Sequence, residues 1–422
     1  AYLTAGAPVP LTTVVDESLA ARGRTLFDDL GCIACHTLDR KSLVEGPLVG
    51  RNRKSLDHVG SKFLPSALKE FLKSPSAHHS ATRMPDFKLS DDEASALAAR
   101  LAQTASKLNP VLRPVGNDGN GEKVFVSRGC AACHTNRDGE TVAVTHRPAL
   151  TFRDVGKGCL AENVPARAPR YALTDRQRQA LALFLESPGV STAPESLPER
   201  AETLMARLNC VACHTRDSQT SPRAELITEE GETGLAAEQL PQLTWAGEKL
   251  HEAWIAKLLK GELPERPRPW LKARMPTFSA SADVIAAGLA AQHGILDRGE
   301  SPGPTPIANG AEIGARLMRK DMLDCRQCHA LGNEPPTGDA KTLLAPGINF
   351  TLTKDRMRYD FYQRWVLDPP RYDIGTRMPK LSVDGKTTKV RQILNGEAKP
   401  QFDAVWEFLN SHQPSAISNQ PE

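Results

Sequence analysis

Aromatic side chains are scarce, only 5% of 422 residues. A chain this long is expected to form three or four domains, and that many cores need more bulk than so few aromatics supply. An excess of one charge is also lacking: 53 Lys and Arg face 50 Asp and Glu, and a net +3 leaves no nucleic-acid footprint. Long apolar runs are missing as well. None approaches the ~18–20 residues that span a bilayer, so a membrane-spanning helix is not expected. With 40% apolar and 24% charged residues the composition is that of a globular chain, not a disordered one. The sequence starts at Ala1 rather than Met, as a processed product or a piece of a longer protein would.

Cysteine is nearly absent outside one peptide. Eight of the nine cysteines fall into four copies of it, leaving Cys159 alone. The copies are Cys32-Ile33-Ala34-Cys35-His36, Cys130-Ala131-Ala132-Cys133-His134, Cys210-Val211-Ala212-Cys213-His214 and Cys325-Arg326-Gln327-Cys328-His329. C-x-x-C-H is the attachment signature of c-type haem: the two thiols form thioethers with neighbouring vinyl groups, and the adjacent His lies beneath the iron. A thioredoxin-like pair does not require a His after its second Cys, and a structural zinc needs a second ligand pair that no copy supplies. Four covalent haems, with their iron, are therefore expected. Their apolar bulk answers the shortage of aromatics. Covalent haem attachment places the protein outside the bacterial cytoplasm, in the periplasm or beyond the cell.

The peptides mark an internal repeat. A helical pattern precedes each: Glu17 to Leu30, Gly121 to Arg128, Arg200 to Leu208 and Glu312 to Leu323. Phe27, Phe125 and Met205 each lie five residues before the first Cys of their copies. A loop with a proline follows each motif, carrying Pro47, Pro148, Pro241 and Pro346. Amphipathic patterns then close the units at Asp91 to Ala102, Asp175 to Glu186, Ala282 to Ala291 and Phe402 to Asn410. Stretches rich in Pro, Gly, Asn and Ser at 109–120, 187–198 and 298–310 read as linkers. The expectation is all-α, with modules at 16–108, 119–188, 199–297 and 309–412. One large helical domain with four haems is the competing arrangement.

This pattern resembles tandem class I cytochrome c domains, over nearly the whole chain outside the linkers and ends. The resemblance implies that the first and last helices of each module cross. It also implies that Pro47, Pro148, Pro241 and Pro346 offer carbonyls to His36, His134, His214 and His329, fixing each imidazole, and that a later Met supplies the sixth ligand. Three modules carry Arg-Met-Pro after a helical pattern, at Met84, Met275 and Met378. A lone Met is usually core filler, but three in one context point to ligation. His/Met ligation raises the potential relative to His/His. The neighbouring Arg suits a haem propionate or solvent.

The second module departs from this pattern. Where Met84 stands in the first, the second has Ala168, no Met lies between His134 and Met205, and the ligand loop is shortened. Cys159 in that loop would give His/Cys ligation, and His146 would give His/His. Five-coordinate iron or another ligand is the remaining option, while an inert thiol or a disulfide is the plain reading of Cys159. His78 and His79 read as loop residues, His58, His251 and His293 as non-ligands, and Trp245, Trp254, Trp270 and Trp365 as core or haem-packing residues.

Iron held by His and Met has no open position, so those haems exchange electrons rather than bind substrate. The leading reading is a tetrahaem carrier passing single electrons between exported redox proteins, or to a membrane or extracellular redox complex. A second makes the haem of module two a peroxidatic or sulfur-oxidising centre. A third makes the chain a haem-bearing subunit of a larger complex or filament. No nucleic-acid partner is expected, and the sequence leaves the oligomeric state open.

Overall fold

The computed structural model describes residues 16–46, 49–51, 53–78, 82–104, 118–128, 130, 156, 158–164, 170–186, 195–229, 240–296, 302–344 and 346–411. The chain divides into two compact units, one of 1–11 with 107–195 and the other of 12–106 with 196–422.

In the larger unit the first segment begins with α1 (Glu17–Asp29), whose start Asp16 fixes by accepting from the Leu19 amide at 3.0 Å. Two short strands, β1 (His36–Thr37) and β2 (Lys54–Ser55), pair in parallel after the motif. Then come α2 (Val59–Lys62), α3 (Pro65–Lys73), α4 (Pro75–His78) and α5 (Asp91–Ala102). A reciprocal cap starts α5: the Ser90 amide donates to Glu93 at 2.9 Å, and the Glu93 amide donates to Ser90 Oγ at 3.2 Å. Phe27, Leu30, Leu68, Leu72, Leu97 and Leu101 form the apolar cluster between these helices.

The smaller unit contains α6 (Asp118–Ser127) and α7 (Asp175–Glu186). Phe125 is buried, and Thr174 with Gln177 repeats the reciprocal cap at the start of α7.

The third segment comprises α8 (Leu197–Leu208), α9 (Pro222–Glu229), α10 (Ala246–Lys249), α11 (Glu252–Lys260) and α12 (Ala282–Gln292). Its cluster gathers Met205, Trp254, Ile255, Leu259, Ile285 and Leu289. The fourth runs through α13 (Gly310–Leu317), α14 (Ala340–Leu343), α15 (Thr353–Arg356), α16 (Tyr359–Leu367), α17 (Pro369–Tyr372) and α18 (Ala398–Ser411), around Leu317, Phe361, Phe402 and Leu409.

First and last helices pack together in all three segments of the larger unit: α1 on α5, α8 on α12 and α13 on α18. Small residues set the approach. A Cβ on Gly23 would collide with the Ala96 carbonyl, one on Gly314 with the Ala404 carbonyl, and one on Gly288 with Ala201. Glycine inside a helix costs about 1 kcal/mol relative to alanine, and these close crossings account for the choice.

His78, expected in a loop, ends α4, and one helix is markedly shorter than its sequence pattern. The pattern Glu312 to Leu323 does not stay helical: α13 ends at Leu317, and the Leu323 amide returns to the Leu317 carbonyl at 2.9 Å through a tight turn. Leu317, Met318 and Leu323 are nevertheless all buried, so apolar spacing alone cannot separate this turn from a further helical one.

Equivalent elements meet across the segments. Leu250 pairs antiparallel with Met357, and the two flanking bonds are counterparts, His251 amide to Arg356 carbonyl at 3.1 Å and Arg358 amide to Lys249 carbonyl at 3.0 Å. Leu250 and Met357 each separate two matching helices, α10 from α11 and α15 from α16. Asp86 likewise bridges Thr277, each standing two residues after its Arg-Met-Pro methionine. The third segment thus contacts the first and the fourth through different faces, each contact relating like to like.

Candidate functional site

Each described motif turn follows its helix through a corner in the left-handed region. Gly31 (φ 89°), Asn209 (φ 59°) and Asp324 (φ 59°) occupy that corner, and the 3-10 turns Cys32–Ala34, Cys210–Ala212 and Cys325–Gln327 follow. Gly, Asn and Asp are the residues that tolerate this conformation.

His214 is buried, and its Nδ1 lies 2.7 Å from the Pro241 carbonyl oxygen, the partner the resemblance implied. That bond fixes the tautomer with the proton on Nδ1 and leaves Nε2 for a metal. In the fourth segment the partner is not Pro346: His329 Nδ1 meets the Ile348 carbonyl at 2.8 Å. The reason is local. The His329–Gly347 bridge runs backbone against backbone, with the Gly347 amide on the Cys328 carbonyl at 2.7 Å, so the next carbonyl faces the ring. Phe350 stacks on the same imidazole at 4.3 Å between centroids. His36 Nδ1 is buried without a partner among the described residues, and Pro47, its expected acceptor, lies outside them.

Burial pushes the pKa of all three imidazoles below the ordinary value, keeping them neutral as metal ligands must be. Burial likewise raises the thiols, Cys32, Cys213 and Cys325 to about 12 and Cys210 to about 11, with Cys35 and Cys328 also raised. The described cysteines are free thiols.

Met84 packs on the cluster that Cys32 also touches, and Met378 on the one that Cys325 touches. Their loops are built alike: the Met84 amide donates to Thr82 Oγ1 and the Met378 amide to Thr376 Oγ1, both at 3.3 Å. In the third segment Ala273 replaces that threonine, and Met275 is 38% exposed and outside the cluster that Cys210 touches. The structure therefore brings two of the three methionines into a common core with their motifs. Trp365 adds something the sequence did not show, its Nε1 donating to Met378 Sδ at 3.0 Å.

The arginine of the third tripeptide has a carboxylate partner within the chain. Arg274 makes a fork on Glu93 at 2.7 and 3.1 Å and reaches the Phe87 carbonyl at 3.0 Å, tying the third segment to the first. Glu93 is held below its usual carboxylate range chiefly by this bond.

Cations gather where the third and fourth segments meet. Lys249 Nζ sits 3.8 Å from the centroid of Trp365, and the Arg356 guanidinium lies 5.4 Å from that of Trp254, each reaching across to the other segment. Burial, then the neighbouring Arg356 and Arg268, lowers Lys249 to about 7, and burial beside Arg268 lowers Arg356 to about 10. The buried Arg356 Nε has no hydrogen-bond partner among the described residues. Free thiols, neutral imidazoles held through Nδ1 and buried cations suited to carboxylates together fit a covalent haem.

In the second segment Cys159 lies half-buried on the turn Gly158–Leu160, which Arg178 holds through the Leu160 and Ala161 carbonyls at 3.2 Å. Cys130 is exposed. Cys133, His134, His146, Pro148 and Ala168 lie outside the described residues. Among the described residues no cluster of three or more His, Cys, Asp or Glu is gathered to cage a metal ion.

Residues 20–105 match the family model described as Cytochrome c. No curated protein and no solved structure matches the chain. The match supports a cytochrome c domain in the first segment and, with it, a c-type cytochrome: a protein with covalent haem c and its iron, working in electron transfer. Among the described residues no helix is long and apolar enough to cross a membrane.

Proposed function

We infer that the chain is a tetrahaem electron carrier of four cytochrome c-like modules, at 16–108, 119–188, 199–297 and 309–412, acting in the periplasm or outside the cell between redox proteins. The observation carrying this reading is that the motif, written four times in the sequence, recurs in the third and fourth segments with an imidazole, buried at His214 and half-buried at His329, held through Nδ1 by a backbone carbonyl. Bound haem supplies reversible one-electron chemistry at iron. The chain's part is to anchor it with eight thiols, to present His36, His134, His214 and His329 from one side, and to close three pockets with Met84, Met275 and Met378. Closed pockets exclude substrate and water, which suits relay rather than catalysis.

The second module is the exception, because Ala168 stands where the ligand Met is expected. A Cys159 thiolate or a His146 imidazole stabilises ferric iron more than a thioether does. The reading therefore expects one low-potential haem and three high-potential ones. A spectroelectrochemical titration tests it, and four coincident high potentials would contradict it. Cys159→Ala converts the low-spin signal of this haem to high-spin if the thiol is its ligand, whereas His146→Ala does so if the imidazole is. Rapid binding of cyanide or peroxide by the unaltered protein would instead make this module an enzymatic centre with the other three as its relay.

A further inference from the structure

The first and third motifs lie side by side. Asn209 Nδ2 donates to Cys35 Sγ at 3.9 Å, and Asn209 directly precedes Cys210. The helix α9 packs on both motif turns. Around it, Arg223 reaches the Asp28 carbonyl at 3.1 Å and Arg51 pairs with Glu225. The corner position that Asn209 fills is Gly31 in the first motif and Asp324 in the fourth, so of the three only the third motif presents an amide side chain there.

In a c-type haem the thioether sulfur is joined to the porphyrin edge through one saturated carbon, the former vinyl carbon. With haem attached, the contact between Asn209 and Cys35 would lead from the residue holding one haem, through one hydrogen bond and the Asn209 side chain and backbone, to Cys210, which would hold the next. We propose that Asn209 is the electron bridge between the first and third haems. With haem bound in both pockets, Cys35 would hold the first and Cys210 the third, and Asn209 would carry a single electron between them with no bond broken and no proton moved. The third segment meets the fourth across the separate Leu250–Met357 seam. It is therefore the junction, and electrons run first–third–fourth rather than in chain order. This inference rests on the covalent-haem reading.

The test uses the full chain, partly reduced, with methionine methyl groups labelled for NMR and assigned through Met84→Leu, Met275→Leu and Met378→Leu. In the unaltered protein the Met84 and Met275 signals average at each oxidation stage, reporting fast exchange between the two haems. Asn209→Gly keeps the left-handed corner but removes the side chain, and Asn209→Asp keeps the shape but removes the donor. Both are expected to slow first–third exchange several-fold while third–fourth exchange stays unchanged. Exchange unaltered in both variants, or slowed equally at both seams, overturns the bridge. Mass measurement of the 32–36 and 210–214 peptides separates the premises: a missing haem there fails the covalent reading itself, whereas both haems present without dependence on Asn209 fails only the bridge.

Discussion

Trp365 Nε1 donates a hydrogen bond to Met378 Sδ at 3.0 Å, while Lys249 of the third segment lies against the face of the same indole. The donor draws electron density from the sulfur, leaving a weaker donor to ferric iron. Trp365→Phe is therefore expected to lower the potential of the fourth haem and spare the first. A redox titration of the variant checks this, and an unchanged fourth potential would show that the sulfur is not the ligand there.

Met84, Met275 and Met378 are each expected to bind iron. The near-infrared band of ferric Met–iron bonding should fall by about a third with any one replaced by Ala, since three haems share it. Met275→Ala is the sharpest case, because Met275 is the most exposed and lies outside the core that Cys210 touches. No change in that variant would remove the third pocket from the His/Met set.

Gly347 lies flat against the His329 ring, and a Cβ there would overlap the imidazole. Gly347→Ala is expected to destabilise the fourth segment by about 1–3 kcal/mol, the usual cost of overpacking, and to perturb ligation by His329. Pro346→Ala is expected to do far less, because the Ile348 carbonyl holds the ring. Thermal unfolding and the ferric spin state measure both variants.

Arg274 and Glu93 join the first and third segments through the fork on the carboxylate. Because the Glu93 carboxyl is lowered from 4.5, its contribution is present above that value and lost as pH falls through the lower folded one. Arg274→Met is expected to cost about 2 kcal/mol at neutral pH, the scale of a hydrogen bond to a charged group. Denaturant unfolding should show the gap between variant and parent narrowing in acid. A gap independent of pH would assign the loss to packing.

Much of this was legible in the sequence. The pattern for α5 matched end to end because Ser90 and Glu93 mark its start, and that for α7 because Thr174 and Gln177 do the same. Phe27, Phe125 and Met205, aligned only by their distance from the motif, are all buried. What escaped depends on the path of the chain. The acceptor for His329 is a backbone carbonyl, and nothing in the identity of Pro346 or Ile348 decides which one faces the ring. Arg274 finds Glu93, and Asn209 finds Cys35, across well over a hundred residues, where no local spacing reports the contact.

The number of haems attached to the chain decides most directly whether all four C-x-x-C-H peptides are haem sites. Intact-mass measurement of the denatured protein, with a pyridine haemochrome assay on the same sample, is expected to return four covalent haems per chain. Two or three would leave at least one C-x-x-C-H peptide without its haem and contradict the four-module reading.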